Sequence, residues 1–552
     1  MSTRLNTQSS VVTHLEKHPL KLQSIDLKKL QRYARMGLFQ GIRRGIEKET
    51  LRTCANGDIS QLDHPQVLGA TLTHPHITTD YSESLLEFIT PVFSVREQAH
   101  AFLEDIHRFT YRRLHAQTEH PQLAQEMLWP TSMPCRLQGN ESIRIAEYGQ
   151  SHSGLMKFIY RRGLDIRYGR TMQTIAGLHY NFSLPDTLWP LLAHLDGLTP
   201  EQADKDYRSA RYFGLIRNFR RYSWLLIYLF GASPAVDKSF ADAFPQHGLQ
   251  PWDKQTFYAP YATSLRMSDL GYQNKAQASL KICFNALDTY IETLKTAIAS
   301  QDPHYAALGI KDAAGEYQQL NANILQIENE YYSDIRPKRV ARSGQKPTDA
   351  LAEGGVEYIE VRCLDVNPFQ PAGISVRQMR FVDLFLVFCL LEASPFIEDD
   401  ECHYLEQNHA RVVKQGRDPQ LTLYTPDGQQ VPFAQQAEDL FARLAPVAEL
   451  LDLGEKTPIF AQALSHYHQR IAEPERTLSA RMLAIMAREK LSFIELGQML
   501  AAEQAAYYQR STMEPARKAL FAQLVESSLQ QAHDLEQANQ GSFEDFLAAY
   551  FA

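Results

Sequence analysis

The feature that most constrains this chain is a set of short, strand-like segments whose polar residues share one parity. In a β-strand, residues i and i+2 point to the same face, so such residues project together from a sheet. Five segments show this pattern. They contain Glu47 and Glu49, Glu83 and Glu87, His179 and Asn181, Glu328 and Glu330, and Glu360 and Arg362.

Several residues of the opposite parity suit a packed face. Tyr180 and Phe88 are examples, although Lys48 and Asn329 break the alternation. The pattern therefore predicts a sheet with one packed face and one face lined by carboxylates. A single pair would indicate an ordinary solvated face, because exposed glutamate is common. Five such segments favour a metal site, since crowded carboxylates repel one another and magnesium prefers oxygen ligands.

The rest of the chain predicts an α+β protein, with strands separated by helices and a mostly helical C-terminal third. Helical texture covers residues 10–40, 96–118, 205–232, 277–300 and most of the chain from 376 onward. Strand-like segments cover residues 41–53, 82–92, 321–332 and 355–366, with at least one more strand between 130 and 185. Asn56-Gly57 predicts a hairpin turn.

Charge and cysteine usage exclude several classes of protein. The net charge of −8 argues against a nucleic-acid-binding protein, which needs a basic face. The longest apolar runs, Trp224–Phe230 and Leu384–Leu391, are far shorter than the roughly 20 residues of a membrane helix. The six cysteines are scattered, without a CxxC pair, and so predict reduced thiols. We expect a cytoplasmic protein that binds neither nucleic acid nor membrane.

No P-loop, HExxH or GxSxG motif occurs, so phosphate chemistry here would need another design. A basic loop between the last two strand candidates leaves two alternatives open. Its cations could contact phosphates, or they could belong to a solvated loop. They are Arg336, Lys338, Arg339, Arg342 and Lys346.

Several long segments resemble the bacterial glutamate–cysteine ligase family, in the version typified by the enterobacterial enzyme. They include GIEKETLR, LTHPHITTDYSESLLEFITPV, GLHYNFSLP, NILQIENEYYSDIRPKRVARSG and GGVEYIEVRCLDVNPF, in order between about residues 40 and 395. The resemblance implies a curved, largely antiparallel sheet forming a funnel like that of glutamine synthetase, surrounded by helices. It divides the chain into an N-terminal helical extension (1–39), a catalytic core (40–395) and a mostly helical C-terminal region (396–552).

The resemblance also assigns roles to single positions. The implied metal ligands are Glu47, Glu49, Asp80, Glu87, His179 and Glu360, and the implied catalytic residues are Glu360 and Arg362. The implied substrate-binding residues are Gln173, Asn181, Arg266, Tyr81, Tyr160, Tyr272 and Tyr332, of which the tyrosines border a cysteine pocket. Tyr81 departs from the family, where phenylalanine is usual. We also expect nucleotide contacts from Glu328, Arg339 and Arg342.

The activity implied is ATP-dependent ligation of the glutamate γ-carboxylate to the amine of L-cysteine, the first step of glutathione synthesis. The expected cofactor is Mg²⁺ or Mn²⁺, and ATP is a co-substrate. We further expect a monomer that is subject to feedback by glutathione. One alternative is a related ligase that uses glutamate and a different amine. Another is an inactive binding protein, against which the retained ligand set argues.

Overall fold

An open antiparallel sheet forms the centre of the protein in the computed structural model, which describes residues 22–118, 120–270, 280, 282–342 and 344–551. Six strands follow one another in the order β2-β3-β1-β5-β10-β9, and the short β4 pairs with β1. The bounds are β1 Arg43–Thr53, β2 Ile77–Thr79, β3 Leu85–Ile89, β4 Met127–Leu128, β5 Leu178–Ser183, β9 Ile335–Lys338 and β10 Tyr358–Leu364.

Helices cover one face of this sheet. The residues that alternate with the polar pairs along the strands are buried on this face. Ile46, Phe88, Tyr180 and Val361 are fully buried there. The helices packed behind the sheet or beside it are α1 Leu27–Arg35, α2 Arg96–His115, α3 Pro121–Ala124, α4 His152–Tyr168, α5 Leu188–Leu195, α6 Lys205–Phe230, α7 Lys238–Ala241, α8 Leu287–Ala299, α9 Pro303–Leu308, α10 Pro347–Gly354 and α11 Val376–Leu391.

Lys48, which breaks the alternation, also lies on the packed face. Its Nζ is 2.7 Å from Nε2 of His107 on α2. Burial lowers the pKa of Lys48 to about 7. The amine is therefore accommodated by a histidine partner, and β1 keeps its two faces distinct.

The C-terminal region is mostly helical, as expected. Two small sheets flank the fold, made by β6 Ala235–Asp237, β7 Gln250–Pro251 and β8 Thr256–Tyr258, and by β11 Thr422–Tyr424 and β12 Gln430–Pro432. The C-terminal helices are α12 Asp399–Gln415, α13 Phe433–Asp452, α14 Ile459–Ala472, α15 Leu478–Glu489, α16 Phe493–Arg510, α17 Pro515–Gln537 and α18 Phe543–Phe551. The predicted α+β class with an antiparallel sheet is confirmed.

One predicted strand is wrong. Residues 321–332 form loops and a 3₁₀ turn, Glu328–Glu330, rather than a strand. Local hydrogen bonds satisfy the backbone instead of a ladder: the Asn321 side chain accepts from Asn323 N at 3.0 Å, and Glu330 accepts from Gln326 N at 2.6 Å.

The prediction of a loop is also wrong for part of the basic segment, because Ile335–Lys338 pairs with β10 as edge strand β9. Pro337 is tolerated there because an edge strand has one side without a ladder. The turn at Asn56-Gly57 is confirmed, with Gly57 at φ 83°.

The helix predicted over 10–40 is shorter. Within the described part it comprises α1 and a 3₁₀ turn, Leu38–Gly41, while residues 1–21 lie outside the described residues. The helix predicted over 277–300 begins at Leu287, and residues 271–279 and 281 again lie outside the described residues. No helix of the described ranges is both long enough and apolar enough to cross a membrane.

Candidate active site

The open face of the sheet carries a continuous row of charged side chains, placed by the strand register. Glu49 of β1 lies directly opposite Glu87 of β3, and Glu47 of β1 lies opposite His179 of β5. One register step along, Glu360 of β10 lies between Asn181 of β5 and Arg336 of β9. Four of the five segments predicted from parity thus contribute strands to the row, and β9 adds a fifth strand.

Glu47 and His179 form the centre of this row. His179 Nδ1 lies 3.2 Å from Glu47 Oε2, and Asn181 Nδ2 donates to Glu47 Oε1 at 2.8 Å. Burial opposes ionisation of Glu47, but the hydrogen bond to His179 and the charges of His179 and Lys338 together outweigh it, so the pKa of Glu47 lies below its usual value. Glu49 accepts from the backbone N–H of Gly177 at 2.5 Å.

The donor set fits a divalent cation. Glu47, Glu87 and His179 each offer a ligand atom, and these atoms lie within 4.8 Å of one another. Burial and the charges of Glu47, Asp80 and Glu49 raise the pKa of Glu87 well above its usual value. Burial and Glu49 likewise raise the pKa of Asp80 to about 6. A cation among these oxygen and nitrogen atoms would relieve their mutual repulsion.

At the other end of the row, the Glu360 carboxylate is paired with two cations, Arg362 and Lys338. Arg362 Nη1 donates to Glu360 Oε2 at 3.2 Å, and Lys338 Nζ lies 3.4 Å from Glu360 Oε1. Burial would raise the pKa of Glu360, but Lys338 and Arg362 hold it far below the usual value. The pKa of Arg362, which burial would lower, is raised instead by Glu360 and Glu49. Both groups are therefore ionised at neutral pH.

A cavity adjoins the row and gathers several residues that the resemblance assigned to substrate. Glu49, Asp80 and Arg362 line it on the side of the row. Facing them are four of the implied substrate residues, Tyr81, Tyr160, Gln173 and Tyr332. The Tyr81 hydroxyl is buried without a hydrogen-bond partner among the described residues, so it could accept or donate to a ligand.

Arg266 supports the row from behind. Its Nη2 donates to the backbone oxygen of Arg362 at 2.8 Å, and its Nη1 lies 3.7 Å from Asp365. Asp365 is itself fixed by the N–H of Ala232 at 2.7 Å and by Ser264 at 2.9 Å. Gly177 is required beside Arg266, because a Cβ there would lie 2.3 Å from Nη2.

Other predicted residues lie away from the row. Glu83 precedes β3 and accepts from the backbone N–H groups of His64 and Glu147 at 2.5 and 2.6 Å, so it is not on the open face. Glu328 accepts from Thr348 Oγ1 at 2.7 Å. The remaining predicted nucleotide contacts, Arg339 and Arg342, bond to Gly355 O and to Glu353, and Tyr272 lies outside the described residues.

Three residues of the site were missed or misplaced in the sequence-based prediction. Lys338 and Arg336 were assigned to a loop, although their i, i+2 spacing is the same signal that identified the other strands. Arg161, which the sequence did not single out, lines the cavity together with Glu330 of the predicted pairs. Arg161 donates to the backbone oxygen of Asp80 from the middle of α4, where no sequence pattern distinguishes it from neighbouring cations.

An open antiparallel sheet with a row of carboxylates, one histidine and two cations beside an aromatic cavity fits an enzyme that transfers phosphoryl groups with divalent cations. The family can be stated more narrowly. A family model described as glutamate-cysteine ligase matches residues 27–412, and this chain belongs to that family.

Similar proteins cover nearly the whole chain. A glutamate–cysteine ligase of Pseudomonas putida is 48% identical over 94% of this chain and 96% of its own length. That of Azotobacter vinelandii is 49% identical over 94% of this chain and 96% of its own length. The likeness therefore extends beyond residue 395.

Solved structures agree. A glutamate–cysteine ligase of Francisella tularensis in complex with AMP has a TM-score of 0.85 at 32% identity and covers 96% of this chain and 98% of its own. A bifunctional glutathione synthetase of Pasteurella multocida has a TM-score of 0.68 at 26% identity, covering 90% of this chain and 57% of its own. The predicted family is confirmed.

Proposed function

We propose that this protein joins the γ-carboxylate of glutamate to the amine of L-cysteine, with ATP converted to ADP and phosphate. The single observation that carries the proposal is the register of the sheet. It brings Glu47, Glu49, Glu87, His179 and Glu360 to one face, with Arg362 between that face and the cavity. Family membership makes glutamate and cysteine the substrates of choice.

Glu47, Glu87 and His179 would hold one magnesium ion, with Glu360 as the further ligand that the resemblance implies there, and Glu49 and Asp80 would serve a second position near glutamate. A bound magnesium ion neutralises phosphate charge and helps orient the nucleotide. The neighbour from Francisella tularensis was solved with AMP, which supports nucleotide binding by this chain. Manganese would fit the same ligands.

Phosphoryl transfer must come first, because a free carboxylate has no acceptable leaving group. The γ-carboxylate of glutamate attacks the γ-phosphorus of ATP, and ADP leaves. Arg362 and Lys338 lie 3.2 and 3.4 Å from Glu360, and we assign these two cations to the transfer. Their task is to stabilise charge on the transferred phosphoryl group.

The amine then attacks the carbonyl carbon of the γ-glutamyl phosphate. A C–N bond forms, the C–O bond to phosphate breaks, and the amine gives up a proton. Tyr81, Tyr160 and Tyr332 line the cavity beside Arg362, where an aromatic wall suits the small, nearly apolar thiol. No protein nucleophile is needed.

We also propose a cytoplasmic location. All six cysteines lie within the described residues and none forms a disulfide there, which suits a reducing compartment. Monomeric state and feedback by glutathione remain part of the proposal.

A coupled assay of ADP release tests the function. Glutamate and ATP are held constant, and cysteine is replaced in turn by 2-aminobutyrate, serine, glycine and other amines. We expect release only when glutamate and an amine are both present, with cysteine giving the highest kcat/KM. A higher kcat/KM for another amine would instead establish the related ligase with a different acceptor.

A further inference from the structure

A second, outer cavity of about 650 Å³ opens beside the candidate active site. It shares Tyr160, Arg161 and Asn329 with the inner cavity, so these three residues form the boundary between two adjoining cavities. Its outer wall is the C-terminal helix α18, through Phe546, Ala549 and Tyr550. Nothing in the proposed reaction with free cysteine requires this space.

The two cavities differ in charge. Glu49, Asp80 and Glu330 line the inner cavity together with three arginines, so acidic and basic side chains balance there. Among the described residues that line the outer one, Lys157 and Arg161 are cationic and none is acidic. Lys157 Nζ and the Arg161 guanidinium both lie over the ring of Tyr148, at 5.1 and 4.6 Å from its centroid. The outer cavity therefore suits an anionic group that extends away from the reacting centre.

Contacts with the rest of the chain fix α18 in place. Leu547 is buried in a cluster with Ile159 of α4 and Leu320. Phe546 packs against His152 at the start of α4, with ring centroids 5.5 Å apart. Lys311 Nζ also pairs with Glu544 at 2.9 Å.

The connection between α17 and α18 is held by the same part of the chain. The Asn539 side chain accepts from His152 N and donates to Gln150 O, both at 3.0 Å. Tyr160 and Arg161 also lie on α4. Because α18 packs on the same helix, the distance between α18 and the inner cavity is fixed.

We propose that the outer cavity is a subsite for the carboxylate of amines that are lengthened at the carboxyl end of cysteine, such as cysteinylglycine. The cysteinyl amine and thiol take the positions of free cysteine in the inner cavity. The added glycyl unit passes Tyr160 and Arg161, and its carboxylate meets Lys157 against the wall formed by α18. The inference rests on the proposed function, since it extends the same cleft.

If the bound dipeptide reacts, the chemistry balances as for cysteine. The α-amine forms the C–N bond to the γ-glutamyl carbon, the C–O bond to phosphate breaks, and one proton is released to solvent. The product is a tripeptide. If the dipeptide binds without reacting, it competes with cysteine, and the subsite is the same.

The first experiment fills the subsite. Ala549 lines the outer cavity, whereas Ala548, its exposed neighbour on α18, does not, so Ala549→Trp and Ala548→Trp form a matched pair. In the Ala549→Trp protein we expect the KM or Ki of cysteinylglycine to rise about tenfold or more, the loss that follows from excluding one well-bound group. The KM values of cysteine, glutamate and ATP should stay within about twofold of wild type, as should all constants of Ala548→Trp.

The second experiment tests the charge. Wild type should bind cysteinylglycine about tenfold more tightly than its C-terminal amide, because a charge-assisted contact to Lys157 is lost in the amide. Lys157→Met should remove that difference and leave the amide unaffected.

Both experiments include wild type with glutamate, cysteine and ATP. If wild type releases no ADP with these three substrates, the proposed function is contradicted. With wild type active, the subsite is contradicted if cysteinylglycine neither reacts nor competes with cysteine, if the two tryptophan variants behave alike, or if acid and amide bind equally to wild type.

Discussion

Among single residues, Glu87 has the strongest physical reason to need a cation. It faces Glu49 across the strand pair and lies near Glu47, so three carboxylates share a small, partly buried volume. Burial and this repulsion together raise its pKa. Such an arrangement costs free energy in the folded protein. A metal ion bound among these carboxylates would offset that cost.

Replacing Glu87 by glutamine should therefore have opposite effects on stability and on function. Removing one of the mutually repelling charges should raise the melting temperature of the protein in EDTA. The further rise on adding magnesium should shrink, and turnover should fall on the order of 10²-fold, as when one charge stabiliser is lost. Differential scanning calorimetry with and without magnesium, beside the ADP-release assay, measures all three.

Glu141→Gln is the control, because Glu141 is exposed and lies outside the row. A Glu87→Gln protein that keeps wild-type turnover and its full response to magnesium would remove Glu87 from the ligand set.

Arg362 provides a second test at this scale. Its guanidinium contacts Glu360 and lines the cavity, so it can follow the phosphoryl group during transfer. Lysine keeps the charge but not the planar fork, and we expect Arg362→Lys to lower kcat by about 10²–10³. Steady-state kinetics separates the possibilities: a rise in KM with unchanged kcat would show that Arg362 only binds substrate.

Tyr81 tests the departure from the family. Its hydroxyl is buried without a partner among the described residues, and burial raises its pKa. Phenylalanine should be accommodated in the same space, so Tyr81→Phe should leave the free energy of unfolding unchanged or raise it by about 1 kcal/mol. Urea unfolding measures this. A clear loss of stability would mean that the hydroxyl has a bonding partner in the folded protein, such as a buried water.

At the scale of elements, the sheet is attached to its helices by a buried ion cluster. Asp383 of α11 is fully buried and lies 3.1 Å from Arg44 Nη2 of β1 and 2.8 Å from Arg96 Nε of α2. Tyr180 of β5 donates its hydroxyl to the same carboxylate at 2.8 Å. One side chain thus connects two strands and two helices directly beneath Glu47 and His179.

Asp383→Asn should destabilise the protein by about 3–5 kcal/mol, because it leaves the buried Arg44 without a counter-charge and Arg96 with Glu455 alone. Asp186→Asn provides the comparison: Asp186 also pairs with two arginines, at 3.6 and 3.1 Å, but is exposed, and its loss should cost less than about 1 kcal/mol. Urea denaturation of both variants measures the difference. Equal, small effects would mean that water reaches Asp383.

Parity identified the strands around Glu47, His179 and Glu360 because each has a buried and an open face. It failed at 321–332, where asparagine and glutamate side chains satisfy the backbone locally. It also failed at β9, where Pro337 indicated a loop although an edge strand accommodates proline. The register that sets Glu49 opposite Glu87 depends on pairing between distant segments, which a single sequence does not contain.

At the scale of the whole molecule, the proposed division at residues 39/40 and 395/396 does not separate independent cores. One hydrophobic core contains Leu30 of α1, Phe219 of α6 and Phe441 of α13. The boundaries remain predictions about sequence likeness, whereas packing joins all three parts. This makes the role of the C-terminal third testable by truncation.

A chain that ends at residue 395 should fail to fold. Phe433 packs against Trp224 and Tyr228, with ring centroids 5.4 and 4.6 Å apart, and Tyr467 packs against Phe230 at 5.0 Å. Each core aromatic contributes about 1.5–3 kcal/mol by burial, so losing α12 to α18 removes more than the net stability of a typical protein. We expect an aggregated product without a cooperative thermal transition.

A chain that ends at residue 538 provides the matched comparison, because it removes α18, in which Leu547 is the one buried residue of the described helix. That protein should keep its cooperative transition and its ADP release with cysteine, since the row on the sheet and the shared core are intact. Circular dichroism melts and the coupled assay compare the two truncations directly. A folded, active protein ending at 395 would show that the shared core closes without the C-terminal helices, and would contradict the interpretation that packing joins all three parts of the chain.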